Sequence, residues 1–159
     1  MTPFTLHATT LIQAPITRCF QLSTCIAIVR KELRMNPVAG RTTGHVTAGD
    51  TVRWEGMQLG FPNYHVSLIP AEDFRAPHFF RDRMIAGRFR TFEHDHAFTE
   101  TPAGTRLDDT LRFTMPFGPF GWLVGRLILV PHIRKLLRRR FHLLTTLAEG
   151  EGWRDYITA

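Results

Sequence analysis

Residues 88–115 read RFRTFEHDHAFTETPAGTRLDDTLRFTM, and their alternation decides the fold. Side chains of an extended chain point to opposite faces in turn, so Phe92, His94, His96 and Phe98 share one face while Glu93, Asp95 and Ala97 share the other. After the turn signal Pro102-Ala103-Gly104 the pattern repeats. Leu107, Asp109, Leu111, Phe113 and Met115 face one way, and Asp108, Thr110, Arg112 and Thr114 the other. The spacing predicts strands over Arg88–Glu100 and Thr105–Met115, each turning its aromatic and aliphatic set inward. Two imidazoles and one carboxylate then stand on an otherwise apolar face.

Working upstream, Thr42–Val46, Thr51–Leu59, Tyr64–Pro70 and His78–Ile85 have the same strand composition, with turn signals at Ala48-Gly49-Asp50 and Phe61-Pro62-Asn63. Phe4–Ile12 opens the chain as a strand. Pro15 suits a first helical turn, and Ile16–Leu33 fits one or two short helices. A hydroxyl cap would break them near Ser23-Thr24, and Asn36-Pro37 would end the unit. Downstream the period changes to about 3.6. Leu123, Leu127, Val130, Leu137, Phe141, Leu144 and Ala148 form one apolar stripe, with Pro131 kinking or dividing the helix and Gly150 and Gly152 closing it. The expected fold class is α+β in a single domain, 1–159: a curved antiparallel sheet of about seven strands, two short helices and a long C-terminal helix. That helix must lay its stripe on the concave sheet face, and a cavity between the two is the expected by-product.

The length of 159 residues suits one domain, and 43% hydrophobic residues argue against disorder. Cys19 and Cys25 are too few for a disulfide scaffold and lack zinc-finger spacing, which leaves buried free thiols. The net charge of +6 has a local origin: residues 119–148 hold Arg126, Arg134, Lys135, Arg138, Arg139 and Arg140 and no acid. A weak contact of Arg126–Arg140 with an anionic membrane surface is one reading and a solvated helix face the other. Nucleic acid is not an expected partner. Met1–Thr10 has no charged stretch leading into an apolar run, and Pro116–Pro131 falls short of a span, so a cytoplasmic monomer or homodimer is expected.

The order of several short motifs resembles the SRPBCC superfamily of helix-grip proteins, which includes START-like, polyketide cyclase/dehydrase and Bet v 1 types. The motifs are Phe4-x-Leu6 with Ala14-Pro15 and Cys19-Phe20, Gly44-x-Val46 with Gly49-Asp50-x-Val52, and Phe79 and Asp82 before Gly87-x-Phe89. His94-x-His96-x-Phe98, Gly104-Thr105-x-Leu107-x-Asp109 and Pro116-Phe117-Gly118 follow. Arg140 stands where such proteins often carry an arginine. The resemblance implies a cavity for a lipid-like, aromatic or polyketide-like molecule, in a fold that hosts carriers, sensors and enzymes alike.

Three readings compete for His94, His96 and Asp109. They have the ligand types that zinc or iron accepts. They could move protons in an aldol-type cyclisation or dehydration, with a histidine as base held by Asp109. Most simply, they hydrogen-bond one another and orient a ligand. The expected ligand-binding set is Trp54, Tyr64, His65, Phe92, His94, His96, Phe98, Leu111, Phe113, Leu123 and Leu127, with no metal and no cofactor. The partner is a hydrophobic small molecule. Asp82 is expected to pair with a neighbouring arginine. No nucleophile elbow, phosphate loop or dinucleotide fingerprint is present.

Overall fold

The alternating runs assemble into one antiparallel sheet. In the computed structural model, which describes residues 2–158, the strands are β1 (Phe4–Ile12), β2 (Met35–Gly40), β3 (Thr51–Gln58), β4 (Phe61–Leu68), β5 (Phe74–Arg75), β6 (Phe79–Gly87), β7 (Thr91–Thr101) and β8 (Gly104–Thr114). Their spatial order is β1-β8-β7-β6-β4-β3-β2, with β5 paired to β6. β7 and β8 match from Thr91↔Thr114 to Thr101↔Gly104, which sets His96 opposite Asp109 and His94 opposite Leu111. On the outer face Arg81 and Arg112 both bond Asp95, and Arg83 bonds Glu93. The arginine-bearing side of β6 therefore meets its partners there, and Asp82 points inward instead of pairing with an arginine.

Two strand expectations are corrected. Thr42–Val46 is no strand: it makes one isolated bridge, His45 to Cys25, and lends its backbone to the helix junction through Ile26 N–H to Gly44 O and Val46 N–H to Thr24 O. The strand lies earlier, at β2, and runs through Pro37. Proline is tolerated there because β2 is the sheet edge and its register slips between Pro37 and Ala39. The β3–β4 turn is likewise Leu59-Gly60, with φ of 53° and 80° at its two corners, and Phe61 already belongs to the strand.

Helices α1 (Ile16–Thr24) and α2 (Ile26–Leu33) break at Cys25, which is extended. No hydroxyl caps α2. Thr24 Oγ1 turns back to the carbonyls of Phe20 and Gln21. Both cysteines are buried and free.

The C-terminal helix comes in three parts: α3 (Gly118–Val124), a π-helical turn (Gly125–Leu129) and α4 (Val130–Glu149). The wide turn ends just before Pro131, whose ring obstructs an ordinary helical hydrogen bond. Its extra residue rotates everything upstream by about one residue step, roughly 100°. The buried series becomes Gly121, Gly125, Val130, Ile133, Leu137, Arg140, Leu144 and Ala148, and Leu123 and Leu127 are thrown outward. Two apolar clusters result. Leu144 and Ala148 join Phe20, Trp54, Phe80 and Phe98 in one; Val130, Ile133 and Leu137 join Leu6, Leu111 and Phe113 in the other.

Candidate functional site

Between those clusters lies a cavity of about 200 Å³, closed by α2 and α4 on one side and by β3, β4, β6 and β7 on the other. That is roughly 13 to 20 times the space one water needs. Its walls include Met35, Val52, Trp54, Phe92, Leu111 and Leu137, with side chains of Glu32, Asp82, His94, His96 and Arg140 among them. Trp54 reaches the wall because it shares the inner face of β3 with Val52.

The polar floor is organised around Asp109, fully buried on β8. Arg140, on the stripe of α4, donates through Nε to Asp109 Oδ2 at 2.8 Å. Its Nη1 donates to both Glu32 oxygens of α2, at 3.1 and 3.0 Å. His96 Nδ1 lies 3.0 Å from Asp109 Oδ1 and 3.0 Å from Arg140 Nη2. His96 Nδ1 donates to Asp109 Oδ1 in one tautomer and accepts from Arg140 Nη2 in the other. His94 Nε2 is 3.3 Å from Asp109 Oδ2 but not aligned to bond it, and the two imidazole centroids are 3.9 Å apart.

The electrostatics follow from this packing. Burial first, then the adjacent His94 and Arg140, push His96 down to about 3, so it is neutral. Burial opposes ionisation of Asp109, but Arg140 and the two histidines outweigh it and hold the carboxyl well below its usual range. At Glu32 burial outweighs the pull of Arg140 and raises the carboxyl. Burial also works against the Arg140 charge, yet Glu32 and Asp109 together keep it firmly protonated. The ligand atoms of His94, His96 and Asp109 lie within 4.8 Å of one another. A guanidinium already sits against two of the three, and this donor set reads as an ion-pair network rather than a cation site.

The inner face continues across the sheet. His65 Nε2 stands 4.0 Å from Asp82 Oδ1 and meets Phe92 edge-on at 5.3 Å. Ser23 Oγ, Asn63 Oδ1, Asp82 Oδ1 and His94 Nε2 are buried, belong to cavity-lining residues, and have no hydrogen-bond partner among the described residues.

Of the residues singled out from sequence, Trp54, His65, Phe92, His94, His96 and Leu111 come together on the cavity wall. Asp109 stands behind the histidines. Phe98 and Phe113 are buried in the two clusters. Tyr64 lies on the opposite face of β4, under the Arg53 guanidinium at 5.2 Å, and Leu123 and Leu127 are exposed. Glu32, Ser23, Asn63 and Asp82 join the site unforeseen. Arg140 does too, although its neighbours in sequence are solvent-facing basic residues. Its signal is nevertheless there: it falls on the buried stripe, three residues after Leu137 and four before Leu144.

No protein-family model matches the sequence, and no curated protein is similar to it. Solved structures are. The Thermus thermophilus protein TTHA0849 is 20% identical with a TM-score of 0.65, over 98% of this chain and 100% of that one. The di-domain ARO/CYC StfQ of the steffimycin biosynthetic pathway gives 0.71 at 11% identity, over 92% of this chain and 51% of that one. The Panax ginseng major latex-like protein 151 gives 0.61 at 10% identity, over 93% and 99%. The chain has the helix-grip fold that the SRPBCC superfamily shares.

Proposed function

From a helix-grip fold with a polar-floored cavity, we propose that this protein binds a hydrophobic small molecule between its sheet and α4. The observation that carries the reading is the set of four buried, unpaired polar atoms on a largely apolar wall. A packed core leaves few such atoms, since each costs about 1–3 kcal/mol unless something pairs with it. The ligand is therefore apolar in bulk and carries hydrogen-bonding groups that meet His94, Asp82, Asn63 or Ser23. Apolar contact supplies most of the affinity, about 25 cal/mol per Å² buried before association costs. The polar floor fixes orientation.

Titration with 1-naphthol tests this. Trp54 is in the wall, so binding should change tryptophan fluorescence saturably, and Trp54→Phe should remove the change. Leu136→Trp, which fills the cavity from α4, should abolish binding. Native mass spectrometry of gently purified protein gives a second readout. No saturable change together with no retained apolar molecule would sink the reading.

A second reading, a cyclase/dehydrase, draws on the His96–Asp109 pair and on the likeness to an ARO/CYC protein. A base held at about 3 is a poor acceptor for proton abstraction near neutrality. In that reading His94 is the base, and Asp109 and His96 position it. His94→Gln would then stop turnover of a polyketone substrate while naphthol binding persists; turnover that survives removes the assignment.

A further inference from the structure

Most of the exposed large apolar side chains fall in two segments, with Leu11, Val38, Tyr64 and Ile85 lying apart from them. Phe117 is 81% exposed, Phe120 71% and Leu127 65%, with Trp122, Leu123 and Ile128 beside them. Met57, Leu59 and Phe61, at the β3–β4 turn, are exposed as well. The β3–β4 turn meets the helix just past the end of the 117–128 segment. Leu59 and Leu129 line the cavity, and His132 Nε2 joins Gln58 Oε1 at 2.9 Å.

The helix is inside-out for a reason. Over residues 118–129 its buried positions are glycine: a methyl at Gly121 would come within 1.7 Å of Pro116 O, and one at Gly125 within 2.6 Å of the Phe4 ring. Close approach of the helix backbone to β1 and the end of β8 therefore uses up the small residues and sends the large ones to solvent. An apolar patch of this kind marks a contact surface.

Charge selects what covers it. Arg126, Arg134, Lys135 and Arg138 are exposed on the same helix, and no carboxylate among the described residues pairs with them. Elsewhere Arg41, Arg53, Arg83, Arg106, Arg112 and Arg154 each meet an acid, while Arg34, Arg75, Arg88 and Arg90 are exposed without one among the described residues but do not cluster on one helix. A second copy seated face to face would set these cations against their own equivalents. A surface of anionic lipid complements both the charge and the Phe/Trp/Leu composition. We propose that the rim built from residues 57–61 and 117–128 docks on an anionic bilayer, with Arg126, Arg134, Lys135 and Arg138 over the headgroups and the cavity mouth against the lipid. Among the described residues no helix is long and apolar enough to cross a membrane, and the contact is interfacial.

Co-sedimentation with phosphatidylcholine vesicles carrying about 30% phosphatidylserine tests this. Binding is expected at about 0.05 M salt and should fall steeply by about 0.5 M. The variant R126Q/R134Q/K135Q/R138Q should weaken it on the order of 1,000-fold, at about 1 kcal/mol for each cation removed. Phe117→Ser with Phe120→Ser and Leu127→Ser should weaken it at either salt. All seven side chains are exposed, so circular dichroism and naphthol binding should remain as in the parent. Vesicle binding unaffected by both variants overturns the proposal. So does absence of vesicle binding, whether the protein sediments as a monomer or as a dimer that the serine variant dissociates. Naphthol binding reads the cavity separately, so loss of vesicle binding alone leaves the ligand-binding reading intact.

Discussion

Replacing Arg140 with methionine perturbs the site most. The guanidinium bonds Asp109 at 2.8 Å and Glu32 at 3.0 Å, and all three side chains are buried. Methionine keeps much of the stem volume and none of the donors. Two buried carboxyls are then left with His96 Nδ1 as the remaining donor. Removing one partner of such a network costs about 3–5 kcal/mol, a large share of the roughly 5–15 kcal/mol that keeps a domain folded. At about 2–4 °C per kcal/mol for a chain this long, the melting temperature falls by about 6–20 °C. The pH dependence has a definite sign. Without the guanidinium, burial raises both carboxyls above their unfolded values of about 4. The folded variant then takes up protons first, so its deficit is largest near neutrality and shrinks as pH falls through the raised folded values. Urea unfolding followed by circular dichroism at neutral and mildly acidic pH measures both effects. The variant E32M/D109L/R140M, with no charge left to bury, should recover most of the loss. A deficit for Arg140→Met below about 1 kcal/mol, the worth of an exposed pair, would refute the desolvated network. A deficit indifferent to pH would do the same.

Three further outcomes are expected. The wild-type protein should lose stability as pH falls from about 6.5 towards 3, because the unfolded His96 imidazole protonates in that window and the buried one does not; His96→Gln should remove up to about 5 kcal/mol of that dependence in acid unfolding curves. Gly121→Ala should cost about 1–3 kcal/mol of unfolding free energy, read from urea curves, since the methyl meets the Pro116 carbonyl at 1.7 Å and backbone must shift. Leu59→Asn should raise stability by about 1 kcal/mol, because asparagine tolerates the left-handed conformation that leucine holds there at φ 53°.

The long strands were legible because one face of each is nearly uniform in hydrophobicity, and a period of two survives only where one side is buried. That is why the Phe92–Phe98 and Leu107–Met115 alternation located the floor of the cavity. The second strand was not legible, since Pro37 is a strand breaker unless the strand is an edge, and edge status is a property of the whole sheet. The Leu123–Leu127 part of the helical stripe misled for a different reason. A constant period assumes a constant helix, and a π turn adds one residue that composition does not announce. Glu32 and Arg140 stand 108 positions apart, and nothing local couples them. Each nevertheless interrupts an apolar helix face, four residues after Ile28 and three after Leu137, which is the trace that a buried charge leaves in a sequence.

The network also bears on why the interior remains hollow. Arg140 ties three layers at fixed distances: α2 through Glu32, α4 through its own backbone, and β8 through Asp109. Apolar side chains left to themselves gain by closing the gap, whereas a fully bonded ion triad holds its elements at hydrogen-bond spacing. Stability alone does not require the charges, since buried ion pairs are often replaceable by apolar groups without loss. On the ligand-binding proposal, their role is to orient the ligand instead. The apolar triple variant separates these roles. As a strut and nothing more, the network would be dispensable to recognition, and 1-naphthol and naphthalene would keep their relative affinities. As the support that aims His94 and His96 at a hydroxyl, its removal should erase the preference for naphthol, a difference of about tenfold for one hydrogen bond in a desolvated site.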